Sequence, residues 1–144
     1  MRLRSFLALA LLGSLNLQSQ ALADGSIAVA RSKDDLRFNM GVSYNFASRA
    51  EADAEAMRQC EAAENALPAA DRATCLVINA YDNMCMALAR DTGAGGTAWG
   101  WGTNFYQPDA DSRALQECRN SAGARADQCT VTMRHCDGSA GGGK

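Results

Sequence analysis

The sequence predicts an α+β fold made of two strand-strand-helix-strand repeats, which form a mainly antiparallel sheet with two helices packed on it and are stabilised by disulfides. A duplicated pattern of cysteines carries this prediction. Ala-Val-Ala-Arg at residues 28–31 leads to a first cysteine 29 residues later, and Ala-Leu-Ala-Arg at residues 87–90 leads to one 28 residues later. In each half, alternating apolar residues precede an alanine-rich stretch, which is the pattern of strands followed by a helix.

An export signal precedes the repeats. Two arginines give a positive start, residues 6–12 are an unbroken apolar run, and residues 21–23 have the small-x-small pattern that a signal peptidase cuts. An uncleaved membrane anchor would need about 20 apolar residues, and polar residues interrupt this run too early. We therefore expect cleavage between Ala23 and Asp24 and a periplasmic or secreted mature chain.

The mature chain is expected to form one α+β domain over residues 24–136, with repeats at about 25–84 and 85–136 and a disordered glycine-rich tail at 137–144. Cleavage removes two of the 14 basic residues and none of the 16 acidic ones. An acidic balance gives no electrostatic footprint for nucleic acid, and no membrane insertion is expected after cleavage. This charge suits a basic protein partner.

Six strands are predicted from apolar runs bounded by turn residues. Each repeat begins with a hairpin, whose turn is polar at residues 32–35 and rich in glycine at residues 91–96. Each repeat ends with a strand that is opened by a cysteine, Cys75 in the first and Cys129 in the second. The predicted strands are residues 26–31, 37–44, 74–81, 85–90, 97–104 and 128–136.

A helix is predicted between the second and third strands of each repeat. In the first repeat, Ser48 and Glu51 form a capping box, and the run to about Asn65 is rich in strong helix formers. In the second repeat, Pro108 suits the first turn of a helix. The predicted inner faces are Ala50, Ala54, Met57, Cys60 and Ala63 or Glu64 in the first helix, and Ala114, Leu115, Cys118 and Ala122 in the second.

The six cysteines indicate disulfides, because an even number in a short exported chain is typical of an oxidising compartment. No metal is expected, since the spacings lack the close Cys-x-x-Cys pairs of zinc sites and the chain has a single histidine. Sequence alone leaves the connectivity open, but equivalent cysteines of a repeat should have equivalent partners. This favours Cys60–Cys75 and Cys118–Cys129, with Cys85–Cys136 joining the two halves.

An ordered set of motifs resembles a family of small exported bacterial proteins known only as a domain of unknown function. The motifs span almost the whole mature chain, at residues 41–45, 48–52, 75–77, 83–89 and 99–102. The chain departs from the family pattern where Gly25-Ser26-Ile27 replaces an early tryptophan, and its loop at residues 64–73 is long. The resemblance implies the fold and the compartment, and it implies no catalytic residue and no cofactor.

No catalytic motif is recognised, and an enzyme is not expected. His135 is the only histidine, and it lies beside a cysteine at the end of a strand. The carboxylates that could act in pairs, as in glycosidases, lie along the first helix and are explained by a solvated face; they are Glu51, Asp53, Glu55, Glu61 and Glu64. The glycine-rich residues 91–97 lack the Lys-Ser/Thr of a phosphate-binding loop.

Aromatic residues are the strongest candidates for partner binding. Trp99 and Trp101 share one face of their predicted strand, with glycines on the other. The favoured explanation is that they fill the core under the second helix, and the alternative is an exposed aromatic face for a partner. The full candidate set is Trp99, Trp101, Tyr106, Tyr44, Asp34 and Asp35, and the loops at 32–35, 64–73 and 91–96 are candidate recognition loops.

These features favour a non-catalytic binding protein of the cell envelope, most concretely a protein inhibitor such as an immunity protein that neutralises an antibacterial toxin. A rigid scaffold loses little entropy on binding, and acidic charge could complement a basic exported toxin or hydrolase. The alternative is a secreted effector or interaction module that acts on a host or neighbouring cell. An enzyme of unrecognised type is the least favoured class.

Overall fold

The computed structural model describes residues 24–33, 37–138 and 140. The predicted signal peptide, the candidates Asp34 and Asp35, and most of the predicted tail lie outside the described residues. The elements, in chain order, are β1 (Asp24–Arg31), β2 (Phe38–Phe46), α1 (Arg49–Asn65), a short 3-10 helix (Ala69–Asp71), β3 (Leu76–Asp82), β4 (Cys85–Asp91), β5 (Trp99–Asn104), α2 (Gln107–Ala122), a second 3-10 helix (Gly123–Gln128) and β6 (Cys129–Cys136).

The strands form two antiparallel three-stranded sheets with the same order, β2-β1-β3 and β5-β4-β6. The α+β class and the repeated strand-strand-helix-strand unit are confirmed. The strands are divided between two sheets, however, where the sequence analysis describes one. The strands form two sheets because the two faces of each sheet differ. One face is built from small side chains, and the other is built from large apolar ones.

The small-residue face of each sheet carries a helix. A Cβ atom on Gly41 would lie 1.9 Å from the carbonyl oxygen of Ala56, and one on Gly100 would lie 2.3 Å from the Cys118 nitrogen. These distances are shorter than any normal contact, so α1 and α2 pack against the sheets through backbone and alanine. The buried clusters here combine Ala28, Ala30, Ala56 and Cys60 in the first repeat, and Ala87, Ala89, Ala110, Ala114 and Cys118 in the second.

The large-residue faces of the two sheets pack against each other. Ile27, Val29 and Val42 of the first sheet share one buried cluster with Met86 of the second, and Trp99, Trp101 and Met133 pack against it. The molecule therefore has four layers, in the order α1, first sheet, second sheet and α2. A second sheet is required because each helix covers only one face, and the apolar area left on the other face needs its own cover.

The buried face of α1 differs from the prediction. The buried positions are Ala52, Ala56, Cys60 and Glu64, so of the predicted positions Cys60 and the alternative Glu64 are buried whereas Ala50, Ala54 and Met57 are not. The alanines of this helix occupy several faces, and the sheet selects those that fit closely over glycine and alanine. The predicted start is confirmed, because the Ser48 Oγ accepts a hydrogen bond from the Glu51 N–H.

Three disulfides link the pairs that the repeat pattern favours, Cys60–Cys75, Cys118–Cys129 and Cys85–Cys136. The first two join each helix to the region that opens the following strand. The third does not join the two halves as expected, because Cys85 and Cys136 are opposite each other on β4 and β6 of the same sheet. Three such bonds are typical of an oxidising, extracytoplasmic environment.

The predicted tail does not begin at Asp137. This residue is fully buried, and its N–H donates to the carbonyl oxygen of Met84 at 2.9 Å. Direct attachment to the disulfide-bonded Cys136 explains why it is held. None of the described helices is long and apolar enough to cross a membrane.

Candidate protein-binding groove along β5

An open groove of about 730 Å³ runs along β5. One wall is α2, which contributes Arg113, Gln116 and Glu117, and the opposite wall contains Trp99 and Trp101. Residues of the first sheet reach the same space, so the groove uses both repeats. Its other lining residues are Arg31, Asn79, Gly100, Gly102, Thr103 and Ser121.

The free edge of β5 presents unpaired backbone groups in this groove. The Asp91 N–H donates to the Ala98 carbonyl oxygen at 2.9 Å, so this pair is of the hydrogen-bonded type. Such pairs alternate along an antiparallel ladder, and the register continues through Trp99, Trp101 and Thr103. The N–H groups of these three residues therefore face away from β4, and no hydrogen bond to them from the rest of the described chain is found.

The corresponding edge of the first sheet is closed at one position. The N–H of Val42 in β2 also faces outward, and it donates to the Gln59 side-chain oxygen at 3.1 Å. Gln59 lies beside Gly41 just as Glu117 lies beside Gly100. Glu117 is exposed and makes no such bond to β5 among the described residues. The two repeats thus differ at one equivalent helix position, and among the described residues only the second repeat leaves the outward strand N–H at this position, that of Trp101, without an acceptor.

The two tryptophans face the other sheet and not α2. Trp99 stacks on Phe38 of β2 with ring centroids 4.7 Å apart, and the Arg90 guanidinium lies 4.4 Å from the centroid of the Phe38 ring. The favoured expectation that both tryptophans fill the core under the second helix is therefore wrong, because Gly100 and Gly102 occupy that face. Both rings are partly buried between the sheets and partly exposed to the groove.

The other aromatic candidates lie elsewhere. Tyr106 and its neighbour Phe105 are highly exposed at the end of β5. Tyr44 stacks on His135 at 4.1 Å and lies six residues along β2 from the Phe38 that contacts Trp99, which is roughly 20 Å in a strand. The structure therefore brings the tryptophans together in the groove and does not place Tyr44 with them.

The predicted hairpin turn after β4 is organised by Asp91. Its carboxylate accepts hydrogen bonds from the Gly93 N–H at 2.9 Å and from the Arg125 guanidinium at 2.7 and 3.0 Å. The hydrogen bonds from Arg125 hold the pKa of Asp91 below its ordinary value. This ion pair fixes the turn that leads into β5.

The long loop after α1 is held by Glu64, which the sequence analysis places on a solvated helix face. Glu64 is buried, and its carboxylate accepts hydrogen bonds from the Ala73 N–H at 2.6 Å and the Asn39 side chain at 2.8 Å. The prediction that Glu64 lies on a solvated helix face is therefore wrong. A helix-face pattern does not reveal that the chain folds back across the end of the helix.

No catalytic arrangement is apparent among the titratable groups described. His135 packs on Tyr44, and burial lowers its pKa. The helix carboxylates are engaged locally, as in the Glu55–Arg58 and Asp53–Arg49 ion pairs. Within residues 24–33, 37–138 and 140, no group of three or more His, Cys, Asp or Glu is arranged to hold a metal ion.

The polar half of the groove was not predicted from the sequence. Arg31 and Asn79 are distant in sequence from α2, and no local pattern joins them to it. Glu117 did carry a usable signal, because it precedes Cys118 as Gln59 precedes Cys60. Aligning the two repeats at these cysteines would have marked this position as one where they differ.

The arrangement of both repeats matches one known family. Residues 25–136 match the family described as "Domain of unknown function (DUF4189)". The chain belongs to this family. Neither the curated proteins nor the solved structures contain a match. DUF4189 membership confirms the resemblance seen in the sequence and spans both repeats, from the second residue of β1 to the last of β6, and it assigns no activity.

Proposed function

We propose that this protein is an exported, non-catalytic binding protein of the cell envelope that acts as a protein inhibitor, such as an immunity protein against an antibacterial toxin. The observation that carries the proposal is the unpaired edge of β5 in an open groove. An extended partner segment that lies along this edge would pair with the outward N–H groups of Trp99, Trp101 and Thr103. Addition of a strand to an exposed sheet edge is a common mode of peptide recognition.

The surroundings of the edge suit a protein partner. Tryptophan and arginine are enriched at the energetic centres of protein interfaces, and the groove contains Trp99, Trp101, Arg31 and Arg113. The disulfides hold this surface in one conformation, which reduces the entropy lost on binding.

The local charge refines the expected partner. The acidic net charge of the mature chain favours a basic protein overall, while the α2 wall of the groove carries both signs of charge, Arg113 and Glu117. The segment that enters the groove is therefore expected to carry hydrogen-bonding side chains, whatever the charge of the whole partner. A basic toxin with a neutral strand near its active site satisfies both conditions.

Affinity capture tests this proposal. The oxidised protein, produced by export and immobilised, is exposed to envelope and secreted fractions of producer and competitor cells, and bound proteins are identified by mass spectrometry. We expect one stoichiometric partner whose activity falls on binding. Capture of host or neighbour-cell proteins without inhibition would favour the effector alternative, and the absence of any protein ligand would contradict both.

Matched variants locate the binding face. T103P removes an outward N–H without removing a ladder hydrogen bond, and T103A keeps that N–H as its control. We expect capture to be lost with T103P and retained with T103A. If T103P fails to fold, R113E in the groove and R119E outside it on the same helix provide the same comparison. Equal capture by R113E and R119E would exclude the groove.

A further inference from the structure

Asp137 is a buried carboxylate at one end of the first sheet, although it follows the last strand of the second. One carboxylate oxygen accepts a hydrogen bond from the Asn45 N–H, and the Gly138 N–H returns a hydrogen bond of 2.9 Å to the Asn45 side chain. Together with the Asp137 N–H bond to Met84, these contacts fix the position of the carboxyl group.

The second oxygen of this carboxylate, Oδ2, has no hydrogen-bond partner among the described residues and is buried. A Cβ atom on Gly25 would lie 2.6 Å from it, so the oxygen lies against β1, next to the residue after Asp24. The register of β1 and β2 shifts between Asp24 and Ser26, at this same end of the sheet. An unpartnered buried oxygen is costly and requires an explanation.

The charges around Asp137 make a cation the missing partner. The charged and titratable groups that face it are the carboxylates of Asp24 on β1 and Asp82 on β3, and the Tyr81 hydroxyl. That hydroxyl donates to the Ser43 carbonyl oxygen at 2.8 Å. Burial, and then repulsion by Asp24 and Asp82, raises the pKa of Asp137 to about 6.

We propose that the α-amino group of Asp24, created when the chain is cut after Ala23, is the charge partner of the Asp137 carboxylate. A signal peptidase would add water across the Ala23–Asp24 peptide bond, leaving a carboxylate on Ala23 and an ammonium on Asp24. This nitrogen belongs to the residue before Gly25, the position at which an added Cβ would lie 2.6 Å from the unpartnered oxygen. Removal of the signal then completes the fold by an ion pair between the start and the end of the domain.

The proposal rests on the predicted cleavage and not on the binding function of the groove. The ion pair would reverse the direction in which the Asp137 contribution to the free energy of unfolding changes with pH. Without the ammonium, the raised pKa means that the folded state binds more protons than the unfolded state, so stability falls as pH rises from about 4 through about 6. With the ammonium, the pKa of Asp137 is depressed, and stability is retained above about 4 and lost as pH falls.

Two forms of the oxidised protein test the ion pair. One begins at Asp24 and the other at Ala23, so that both carry an α-amino group and the same net charge but the second places it one residue away. Carboxyl-carbon NMR titration of Asp137 is expected to give a pKa at or below the ordinary aspartate value of about 3.9 in the first form and about 6 in the second. Equal values in both forms would overturn the proposal.

Further measurements test whether the difference between the two forms arises from Asp137 and the α-amino group. D137N should abolish the difference in pH dependence between the two forms, whereas D127N on the surface should preserve it. If D137N does not fold, the acetylation rate of the α-amino group is measured instead, and we expect it to be at least about tenfold slower in the form that begins at Asp24. A mature terminus other than Asp24 in the exported protein, or a pKa that falls only when Ca²⁺ is added, would overturn the proposal.

Discussion

The two repeats of this protein bury their helices in the same way but treat their outer strands differently. Gly41 and Gly100 both allow a helix to approach the sheet closely, with Ala56 and Ala114 in equivalent contact. In the first repeat Gln59 accepts a hydrogen bond from the outward Val42 N–H of β2, whereas the equivalent Trp101 N–H of β5 has no acceptor within the part of the chain that the structure describes. Positions that build the fold have stayed alike, and the position that controls access to an edge has diverged.

Two fixed contacts lie next to the open edge of the second repeat. Its hairpin turn is closed by the Asp91–Arg125 ion pair. The second sheet alone contains an interstrand disulfide, Cys85–Cys136. An unpaired edge next to rigid supports is what a binding surface requires.

Loss of the interstrand disulfide should cause the largest decrease in the free energy of unfolding. In the chain-entropy account, the Cys85–Cys136 bond closes 51 residues and contributes about 4 kcal/mol, against about 3 kcal/mol for the 15-residue loop of Cys60–Cys75. Paired Cys→Ala variants of each bond, compared by urea unfolding, check this order. A larger loss of stability for the Cys60–Cys75 variant would contradict this order.

Glycine replacements under the helices should have the next largest effect. G41A and G100A each introduce a Cβ into helix backbone, and overpacking of this kind costs about 1–3 kcal/mol. We expect G41A to lower the free energy of unfolding more than G100A does. The added Cβ would lie 1.9 Å from the Ala56 carbonyl oxygen in G41A and 2.3 Å from the Cys118 nitrogen in G100A. N120A on the exposed face of α2 serves as the control. Wild-type stability for both glycine variants would refute the proposed close packing.

Opening the closed edge should have a smaller effect. Q59A leaves the Val42 N–H without its acceptor, and loss of one such bond costs about 1 kcal/mol. The unpaired β2 edge is then free to pair with other chains, so concentration-dependent association should appear in sedimentation. E117A removes the equivalent side chain beside an edge that is already open. It should change neither the free energy of unfolding nor the association state. If Q59A and E117A had equal stability and equal association, the proposed difference between the β2 and β5 edges would be contradicted.

Acid should weaken the hairpin turn of the second repeat, and this is the smallest expected effect. The pKa of Asp91 is depressed by Arg125, so its stabilisation is present above the ordinary aspartate pKa and is lost as pH falls through the lower folded value. The amide shift of Gly93, which donates to the Asp91 carboxylate, should follow this titration, while that of Ala28, buried in the first sheet opposite Gly41, should not. Parallel titration of both amides would contradict the assignment.

The sequence predicted most of the fold and little of the site, for physical reasons. Periodicity and the paired cysteines are local or repeated signals, so the strands, the helices and the disulfide pairs could be inferred from them. The two-sheet division, the orientation of Trp99 and the buried state of Asp137 depend on which face meets which layer. A strand with tryptophan on one face and glycine on the other is consistent with either orientation until the helix is placed on it.

The most direct test of the central claim is amide hydrogen exchange of the oxidised mature protein, free and bound to its captured partner. In the free protein, the account predicts slow exchange at Val42 and fast exchange at Trp101. On binding, Trp101 should become protected while Val42 is unchanged. Strong protection of Trp101 in the free protein would show that the β5 edge is not open, and protection confined to other surfaces on binding would show that it is not the binding site.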